Sequence, residues 1–578
     1  MININYQKRK NLELFKSLEE PTSLFLSDTQ NYIPIYNRFF SLNETNFNNI
    51  NLNHNFYIDS NVKQNSKKIE YTCKIGNLEN DTIKDTRVFF KLAPLLDPYK
   101  YLIGKYNTND ENLFCLPKIT STEKNCNSKF IDVNNSAYVD GFFLYLTNSL
   151  LLTHNFLHGI EYYGSFLAIK NNYKINVFDD IEYLNNSNYF NKNKNVLFQI
   201  DEYKHLFKDE TQKLSPIKID HSISAKSQLS INSFDNEIFE EIFNENNTTE
   251  NFEELKELNV LNDENNITLN SNSTCSSRCS FTDEEEEEEE DEDDEEEEDD
   301  EEEDGDDDDE EDSEDGDDDD DDEEEIINVT IPKFPVQVIF MEHCENTFDN
   351  LILNNKLSHE EWYSALMQII MILITYQKTF NFTHNDLHTN NIMYNKTEQK
   401  YIFYRYKKIN YKVPTFGRIF KIIDFGRSIY KYNGNIFCSD SFQTGGDAAT
   451  QYNTEPYLNE KKPRLEPNPS FDLCRLACSI FDYIIEDFEE IKNLSKCNDP
   501  IKRLIVEWCQ DDKGINMLYK HNGSDRYPEF KLYKMIARCV HNHIPYAQLD
   551  RPEFKNFSNF KGEISGIIID IDAIPSYV

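Results

Sequence analysis

Short runs of hydrophobic residues, separated by turn-forming Asn, Asp and Ser, fill the chain between residues 55 and 93. The runs NFYI, KIEYTCKI and TRVFFKLA are rich in β-branched and aromatic residues, which is typical of strands. This spacing predicts a small antiparallel sheet. Strand-like runs return in GIEYYGSFLAI, NVLFQI and PVQVIFME.

Apolar residues at helical intervals become more frequent later in the chain. The run NSAYVDGFFLYLTNSLLL at residues 135–152 predicts one helix, which begins at an Asn or Ser that can cap it. Residues 358–380 predict a strongly apolar helix, and Ser358 and Glu361 at its start have the spacing of a capping box. The run YIFYRYKKINYKV predicts a hairpin, RIFKIIDFG predicts a strand, and helical patterns continue from Phe471 to the end. The pattern therefore indicates an α+β fold with a strand-rich front and a helix-rich back.

Two segments have few of the apolar residues that a core needs. Residues 1–54 are rich in Asn and other polar residues, and we expect them to form a poorly defined N-terminal arm. Residues 209–330 are rich in Asn, Ser and Glu, and they offer too little apolar surface to offset the entropy of ordering. They predict a long disordered insertion within the strand-rich part.

Negative charge is concentrated in one stretch of that insertion. All but three of the 43 residues from 283 to 325 are Asp or Glu, and they supply most of the net charge of −48. The rest of the chain is only mildly acidic, so the composition excludes a basic nucleic-acid binder and predicts no direct contact with nucleic acid. Two interpretations of this acidic tract stay open. It is either a solvated insert without a specific task or a docking arm that attracts basic partners, such as histone-like or virion core proteins.

Several classes of protein are excluded by simple counts. No stretch approaches the roughly 20 apolar residues that span a bilayer, and the N-terminus lacks the apolar region of a signal peptide. The twelve cysteines show neither the spacing of a disulfide framework nor that of a zinc site. We therefore expect a soluble, non-secreted protein with reduced thiols and no membrane contact. We also expect a monomer.

Three oxygen-bearing side chains lie in two short motifs. FTHNDLHTNNIMY contains Asp386 with Asn391 five residues later, and FKIIDFGRS contains Asp424 after a run of apolar strand residues. Phosphoryl transfer needs an oriented acceptor hydroxyl and metal ions on the phosphates more than covalent chemistry by the protein. Asp386 can orient the hydroxyl, while Asn391 and Asp424 offer the hard oxygen ligands that Mg²⁺ prefers. The alternative interpretation is that His384 and Asp424 only cap turns.

The two motifs together resemble the protein kinase-like superfamily, in which the catalytic loop H-x-D-x-x-x-x-N precedes the magnesium-binding D-F-G. More closely, HNDLHTNNIMY and YKVPTFGRIFKIIDFGRS are similar to serine/threonine protein kinases of giant, mimivirus-like DNA viruses. The resemblance implies a two-lobed fold with a small β-rich N-lobe and a larger helical C-lobe. It also implies ATP and Mg²⁺ as cofactors and, for a viral protein, a location in the host cytoplasm or the virion.

This resemblance divides the chain into five parts. They are the arm at 1–54, the first part of the N-lobe at 55–208, the insertion at 209–330, the last N-lobe strand with the hinge at 331–343, and the C-lobe at 344–578.

Positions within the family's motifs also imply roles for single residues. In RVFFK, Lys91 matches the strand lysine that holds the α- and β-phosphates. In IFMEHC, Met341 matches the gatekeeper, and the backbone of Glu342 and Cys344 is expected to face adenine. His388 stands where protein kinases usually carry Lys, and it would assist the transferring phosphoryl group.

Further residues resemble supporting parts of the family's site. Asp140, on the helix at 135–152, is the candidate partner of Lys91, and the alternative is an exposed helix carboxylate. Asp472 in FDLC resembles the helix Asp that holds the catalytic loop. Arg551 resembles an arginine near the end of the domain, with Glu455 as its candidate partner.

The sequence departs from the family at two places that affect function. Gly76 is the only glycine among the first hundred residues, and we expect it in the turn between the second and third strands, so residues 59–67 would contact the phosphates without a glycine-rich loop. Asn385 replaces the Arg that precedes the catalytic Asp in switchable kinases, and an amide cannot pair with a phosphate as a guanidinium does. We therefore expect activity that does not depend on phosphorylation of residues 428–455.

Three functions remain open at this point. The favoured one is an ATP-dependent protein kinase that transfers the γ-phosphoryl group to Ser or Thr of protein substrates. The missing glycines favour a pseudokinase that serves as a scaffold or binding module, and the DLH triplet at residues 386–388 favours a small-molecule kinase.

Overall fold

The computed structural model describes residues 2–64, 71–201, 327–485, 494, 497–520, 523–528, 530–562, 564 and 566–578. Nearly all of the predicted insertion, including the acidic tract, lies outside these residues, and so do residues 65–67 of the expected phosphate loop. The predicted disorder of the insertion therefore stays a prediction.

Strands dominate the first part of the chain and helices the second. The strands are β1 Tyr6–Lys8, β2 Leu26–Gln30, β3 Ile50–Leu52, β4 Phe56–Gln64, β5 Tyr71–Asn77, β6 Thr82–Pro94, β7 Tyr162–Asn176, β8 Gln199–Ile200, β9 Asn328–Glu342, β10 Asn346–Thr347, β11 Ile392–Lys396, β12 Tyr401–Tyr406, β13 Ile409–Pro414, β14 Arg418–Ile422, β15 Ile429–Tyr432, β16 Asn435–Cys438 and β17 Ile568–Asp570. The helices are α1 Leu12–Glu19, α2 Pro98–Leu102, α3 Ser128–Ile131, α4 Ser136–His154, α5 Ile181–Asn186, α6 Asn188–Asn193, α7 Phe348–Asn354, α8 His359–Phe380, α9 Phe471–Ile484, α10 Pro500–Trp508, α11 Lys531–Cys539, α12 Pro545–Gln548 and α13 Pro552–Lys555. The described residues therefore form a mixed α/β structure.

The principal sheet has the strand order β2, β7, β9, β6, β5, β4, and β8 also pairs with β9. Every pair in it is antiparallel, which confirms the prediction for residues 55–93. Strand β9 is central because it pairs with β6 on one side and with β7 on the other. In this register Lys91 of β6 lies opposite Ile339, and Met341 lies opposite Phe89.

Helix α4 packs closely on this sheet. The side chain of Asn135 caps it by accepting a hydrogen bond from the Ala137 amide, as the sequence predicts. A Cβ atom at Gly141 would lie 2.2 Å from Nε2 of Gln337 in β9, so glycine permits the close approach of helix and strand. The neighbouring residue Asp140 is 1% exposed and is buried against the sheet that carries Lys91.

The N-terminal residues differ from the expected poorly defined arm. Residues 2–54 contain β1, α1, β2 and β3, and β2 forms an edge of the principal sheet by pairing with β7. Leu14 and Leu18, one turn apart on α1, are buried. The apolar clusters are short, but the sheet covers them, and this long-range packing has no local signature in the sequence.

Gly76 lies inside β5, not in the turn where the sequence placed it. It pairs with Tyr57 of β4 and Ile83 of β6. A Cβ atom there would lie 2.4 Å from the ring of Tyr57, so this glycine makes room for an aromatic side chain.

Helix α8 and the strands after it follow the sequence pattern. Ser358 and Glu361 form the predicted capping box, and β12 and β13 form the predicted hairpin. The pattern predicted mainly helices after Phe471, and the structure adds a short strand there, β17, which pairs in parallel with β12. This strand has only three residues, and its partner is far away in the sequence. Within the described ranges, no helix combines the length and the apolar character that crossing a bilayer requires.

Candidate active site

Asp472 on α9 holds the loop that carries the first motif. This residue is fully buried and accepts hydrogen bonds from the backbone amides of His384 at 2.9 Å and Asn385 at 3.0 Å. Burial raises the pKa of Asp472, although both amides favour its charged form. The imidazole of His384 donates from Nε2 to the carbonyl oxygen of Ile423 at 2.9 Å, and its Nδ1 accepts from the Asp386 amide at 3.2 Å. The loop is thereby fixed to α9 and to the end of β14.

Asp386 receives a hydrogen bond that no motif predicts. The hydroxyl of Tyr533 on α11 donates to Oδ1 of Asp386 at 2.9 Å. Burial alone would raise the pKa of Asp386, but nearby positive charges, those of Arg427 and Arg475 among them, outweigh burial and lower it. Asp386 is therefore a carboxylate at neutral pH.

The side-chain amide of Asn391 is oriented by two hydrogen bonds. Its Nδ2 donates to the carbonyl oxygen of Asp386 at 2.9 Å and to Nε2 of His388 at 3.0 Å. Because both acceptors engage the nitrogen, Oδ1 is the atom that can bind a cation. Burial lowers the pKa of His388, which makes its imidazole neutral at neutral pH. Because Nε2 of His388 is the acceptor, Nδ1 carries the proton and is the donor of this imidazole.

Lys91 lies between two carboxylates. Its Nζ is 2.7 Å from Oδ2 of Asp140 on α4 and 2.8 Å from Oδ1 of Asp424. The other oxygen of Asp140 accepts a hydrogen bond from the Phe425 amide at 2.8 Å. The structure thus brings together Lys91, its candidate partner and the acid of the second motif. The side chains of Lys91 and Asp424 are 20% and 31% exposed, so this end of the cluster is open to a ligand.

These charged groups change one another's pKa. Burial alone would lower the pKa of Lys91, but the two carboxylates raise it above its ordinary value. Burial raises the pKa of Asp140, and Lys91 only partly opposes this. Burial also opposes ionisation of Asp424, but attraction to Lys91 outweighs it and lowers the pKa. Repulsion from Asp386 acts on Asp424 as well, because both acids face the same site.

Phe425 connects the two motifs to α4 through a buried aromatic cluster. Its ring centroid lies 4.6 Å from that of Phe143 on α4, 5.9 Å from that of Phe382 and 5.6 Å from that of His384. The preceding residue, Asp424, has a φ of +61°, a left-handed conformation that few non-glycine residues adopt. This turn directs its carboxylate to Lys91 while Phe425 points into the core.

The segment expected to face adenine lies at the end of β9. Met341 and Cys344 are buried. The amide of Glu342 donates to the carbonyl oxygen of Glu161 at 2.9 Å, so an adenine contact of this residue would use its own carbonyl oxygen. Among the described residues, neither the amide nor the carbonyl group of Cys344 has a backbone hydrogen bond.

The side chain of Glu342 takes part in a buried network for which the sequence gives no signal. Oε1 accepts from Nζ of Lys421 on β14 at 2.5 Å, and Oε2 accepts from Nδ2 of Asn395 on β11 at 2.7 Å. Lys421 also donates to the carbonyl oxygen of Gly159 at 2.6 Å. The network ties the end of β9 to the loop after α4 and to two strands of the later part of the chain.

Asn385 anchors the segment that follows the second motif. Its Oδ1 accepts a hydrogen bond from the hydroxyl of Tyr452 at 2.7 Å, and its Nδ2 donates to the carbonyl oxygen of Arg427 at 3.0 Å. Tyr452 is buried, with an exposure of 6%. Asn385, the residue before Asp386, therefore contacts this segment through neutral groups.

The expected pairing of Glu455 with Arg551 is wrong. Arg551 instead pairs with Glu507, in the last turn of α10, and lies near Glu553 on α13. The arginine thus joins two helices near the end of the chain.

Comparison with known proteins gives one distant likeness. No protein-family model matches the chain. The chain is similar to the serine/threonine-protein kinase haspin homolog of Drosophila melanogaster, with 27% identity over 172 residues. The match spans 28% of this chain and 29% of the length of the fly protein. This likeness supports a protein kinase-like relationship.

Proposed function

We propose that the protein is an ATP-dependent phosphotransferase that moves the γ-phosphoryl group to Ser or Thr of protein substrates. The observation that carries the proposal is the contact of one ammonium group, that of Lys91, with both Asp140 and Asp424. Two carboxylates that share one cation leave net negative charge at the open end of the cluster, which a divalent cation can compensate. Asp386 and Asn391 lie beside this cluster, and these residue types meet the needs of phosphoryl transfer.

Each residue has a chemical task in this proposal. When bound, ATP supplies the phosphoryl group and Mg²⁺ neutralises charge on its phosphate oxygens. Lys91 holds the α- and β-phosphates, and Asp140 fixes the position of its ammonium group. Asp386 orients the acceptor hydroxyl and accepts its proton. His388 donates a hydrogen bond from Nδ1 to the transferring group.

The oxygen atoms of Asn391 and Asp424 fit Mg²⁺. Asn391 keeps Oδ1 as its ligand atom because Nδ2 is engaged twice. In Asp424 it is Oδ1 that contacts Lys91, which leaves Oδ2 for a cation. Mg²⁺ commonly takes only one or two protein carboxylates and completes its shell with water and phosphate oxygens. Within the described ranges, no group of three or more His, Cys, Asp or Glu side chains is arranged to hold a metal ion.

The adenine site in this proposal lies at the end of β9. The carbonyl oxygen of Glu342 and the amide of Cys344 bind the polar edge of the base, and Met341 limits the depth of the pocket. The distant likeness to a serine/threonine-protein kinase supports a hydroxyl of a protein as the acceptor.

The test is a transfer assay with the full chain, labelled ATP and Mg²⁺, in which a basic protein, an acidic protein and the chain itself are offered as acceptors. We expect label on Ser or Thr, and a loss of about 100-fold or more in Asp424→Asn, because a bound metal supplies several kcal/mol of charge stabilisation. Circular dichroism of the isosteric variant controls for folding. Nucleotide binding without transfer would instead indicate a scaffold, transfer only to a small molecule would refute the protein acceptor, and no nucleotide binding would refute the proposal.

A further inference from the structure

Tyr533 contacts the carboxylate at the centre of the proposed reaction, although it belongs to none of the motifs. It lies on α11, where Tyr533, Ile536 and Ala537 form the buried face. Its hydroxyl is 2.9 Å from Oδ1 of Asp386, across 147 residues of sequence. The contact is therefore a product of the fold, made by a helix distant from both motifs.

The ring of Tyr533 is held from several sides. It stacks on Phe530, with ring centroids 5.3 Å apart and planes within 9°. Phe471, at the start of α9, lies 6.2 Å away. The guanidinium of Arg475, one helical turn after Asp472, is 5.1 Å from the ring centroid. A side chain with 6% exposure and these neighbours has little rotational freedom, so its hydroxyl is a fixed donor.

The charges at this contact favour one arrangement. Burial raises the pKa of Tyr533 to about 12, so its hydroxyl keeps the proton at any working pH. Asp386 is ionised, since the surrounding positive charges lower its pKa. A hydrogen bond to an ionised acceptor is stronger than one between neutral groups, and it favours the charged form of the acid.

We propose that Tyr533 is a positioning residue that fixes the Asp386 carboxylate for the acceptor hydroxyl. The inference rests on the proposed function. Tyr533 holds Oδ1, while the backbone amide of Asp386 is bound by Nδ1 of His384. Side chain and main chain are then both fixed, and Oδ2 is presented to the acceptor.

The alternative interpretation of the same contact is inhibition, in which the phenol of Tyr533 occupies the position that the acceptor hydroxyl needs at Asp386. The geometry favours positioning, because Tyr533 engages only one of the two carboxylate oxygens. An ionised carboxylate offers about four acceptor positions, so a second hydroxyl binds without displacing the first.

Tyr533→Phe removes the hydroxyl and keeps the stacked ring. The matched control is Tyr519→Phe, because the hydroxyl of Tyr519 also donates to an aspartate, Asp482, at 2.7 Å but away from the proposed site. We expect kcat to fall about 10- to 100-fold in Tyr533→Phe, the range of one hydrogen bond to a charged group. The KM for ATP should stay unchanged. Tyr519→Phe should match the wild type in both constants.

A second measurement does not depend on turnover. The carbon-13 chemical shift of the Asp386 carboxyl carbon, assigned with Asp386→Asn, is compared at one fixed pH in the wild type and in both phenylalanine variants. The chemical shift should change in Tyr533→Phe, which lacks the hydrogen bond, and stay unchanged in Tyr519→Phe. An active enzyme whose kcat and carboxyl chemical shift are unaltered by Tyr533→Phe would overturn the inference, and a variant with a higher kcat would show that the phenol blocks the site. A wild type without turnover, but with the change in chemical shift, would refute the phosphotransfer proposal and leave the pairing of Tyr533 with Asp386 standing.

Discussion

Lys91 is the residue on which the charge balance of the candidate site depends. It is the counter-ion of Asp140, which is 1% exposed, and of the partly open Asp424. A buried carboxylate that loses its cation must either stay charged at a high cost or take up a proton. The effect of removing Lys91 on stability should therefore depend on pH.

In Lys91→Met we expect the free energy of unfolding to fall as pH rises. Burial already raises the pKa of Asp140 above its ordinary value, and loss of Lys91 raises it further. The folded state then binds a proton that the unfolded state releases, so the stability is present at low pH and is lost as pH increases through the folded-state pKa. At pH 8 the loss should be about 3–5 kcal/mol. Denaturant titrations at pH 5 and pH 8 measure it.

The control for this experiment is Lys91→Met combined with Asp140→Asn. The amide has the shape of the carboxylate but no charge, so most of the added pH dependence should disappear. Equal pH dependence in the single and double variants would contradict the assignment to Asp140.

At the scale of elements, the segment of residues 428–455 is fixed to the first motif by neutral hydrogen bonds. Tyr452 and the carbonyl group of Arg427 both bind the side chain of Asn385. In an arrangement of this kind no phosphate is needed to complete the contact. This is the physical basis for expecting activity without phosphorylation of the segment.

Treatment of the protein with a broad-specificity phosphatase should leave the rate of phosphotransfer unchanged. The variant Tyr452→Phe should lower the rate about 3- to 10-fold, because it loses the free energy of one neutral hydrogen bond. Steady-state rates before and after treatment, with mass spectrometry to verify dephosphorylation, measure the first effect. Tyr483→Phe, which removes a tyrosine hydroxyl that donates to Asp349 and not to Asn385, is the control for the second. A large loss of activity on dephosphorylation would contradict the prediction.

Local patterns predicted the elements whose signals are local. The caps of α4 and α8 and the β12–β13 hairpin follow from residues within a few positions of each other. By contrast, β2 and β17 are short, and each is stabilised by a partner strand far away in the sequence. Gly76 was misplaced for a similar reason. The sequence does not distinguish a glycine that makes room for an aromatic ring from a glycine that forms a turn.

The residues of the candidate site also include some that local sequence patterns reveal and some that they do not. Lys91, Asp386, Asn391 and Asp424 could be found because spacing within motifs carries their signal. Tyr533 could not, since its contact joins α11 to a loop 147 residues away.

For the whole molecule, the buried pair of Glu342 and Lys421 links the principal sheet to the later strands. Their side chains are 15% and 6% exposed. Removing one member of a buried pair leaves an unpaired charge, whereas replacing both with apolar residues is often tolerated.

Lys421→Met should reduce the free energy of unfolding by about 3–5 kcal/mol, and adding Glu342→Leu should restore a substantial part of it. Denaturant titrations of both variants measure the difference. Lys16→Met is the control, because the Lys16–Glu13 pair is 71% and 84% exposed and such pairs contribute at most about 1 kcal/mol. Equal losses from Lys421→Met and Lys16→Met would contradict the importance of the buried pair.

The acidic tract adds a prediction that follows from charge alone. We propose that it docks basic protein substrates, so deletion of residues 283–325 should weaken binding of a basic protein and remove most of the salt dependence of that binding. Binding measured at about 0.05 and 0.3 M salt tests this, with transfer to a short neutral peptide as the control that should not change. Unaltered binding after the deletion would leave the tract as a solvated insert.

The pairing of β8 with β9 has a consequence for protein engineering. Gln199 lies opposite Thr330 and Ile200 opposite Val329, so the two ends of the intervening chain are antiparallel neighbours. Such neighbours are about 5 Å apart and can be joined by a tight turn of a few residues. A shortened protein in which such a turn replaces the chain between these ends should therefore keep its strand register, and it would offer a compact form for crystallisation.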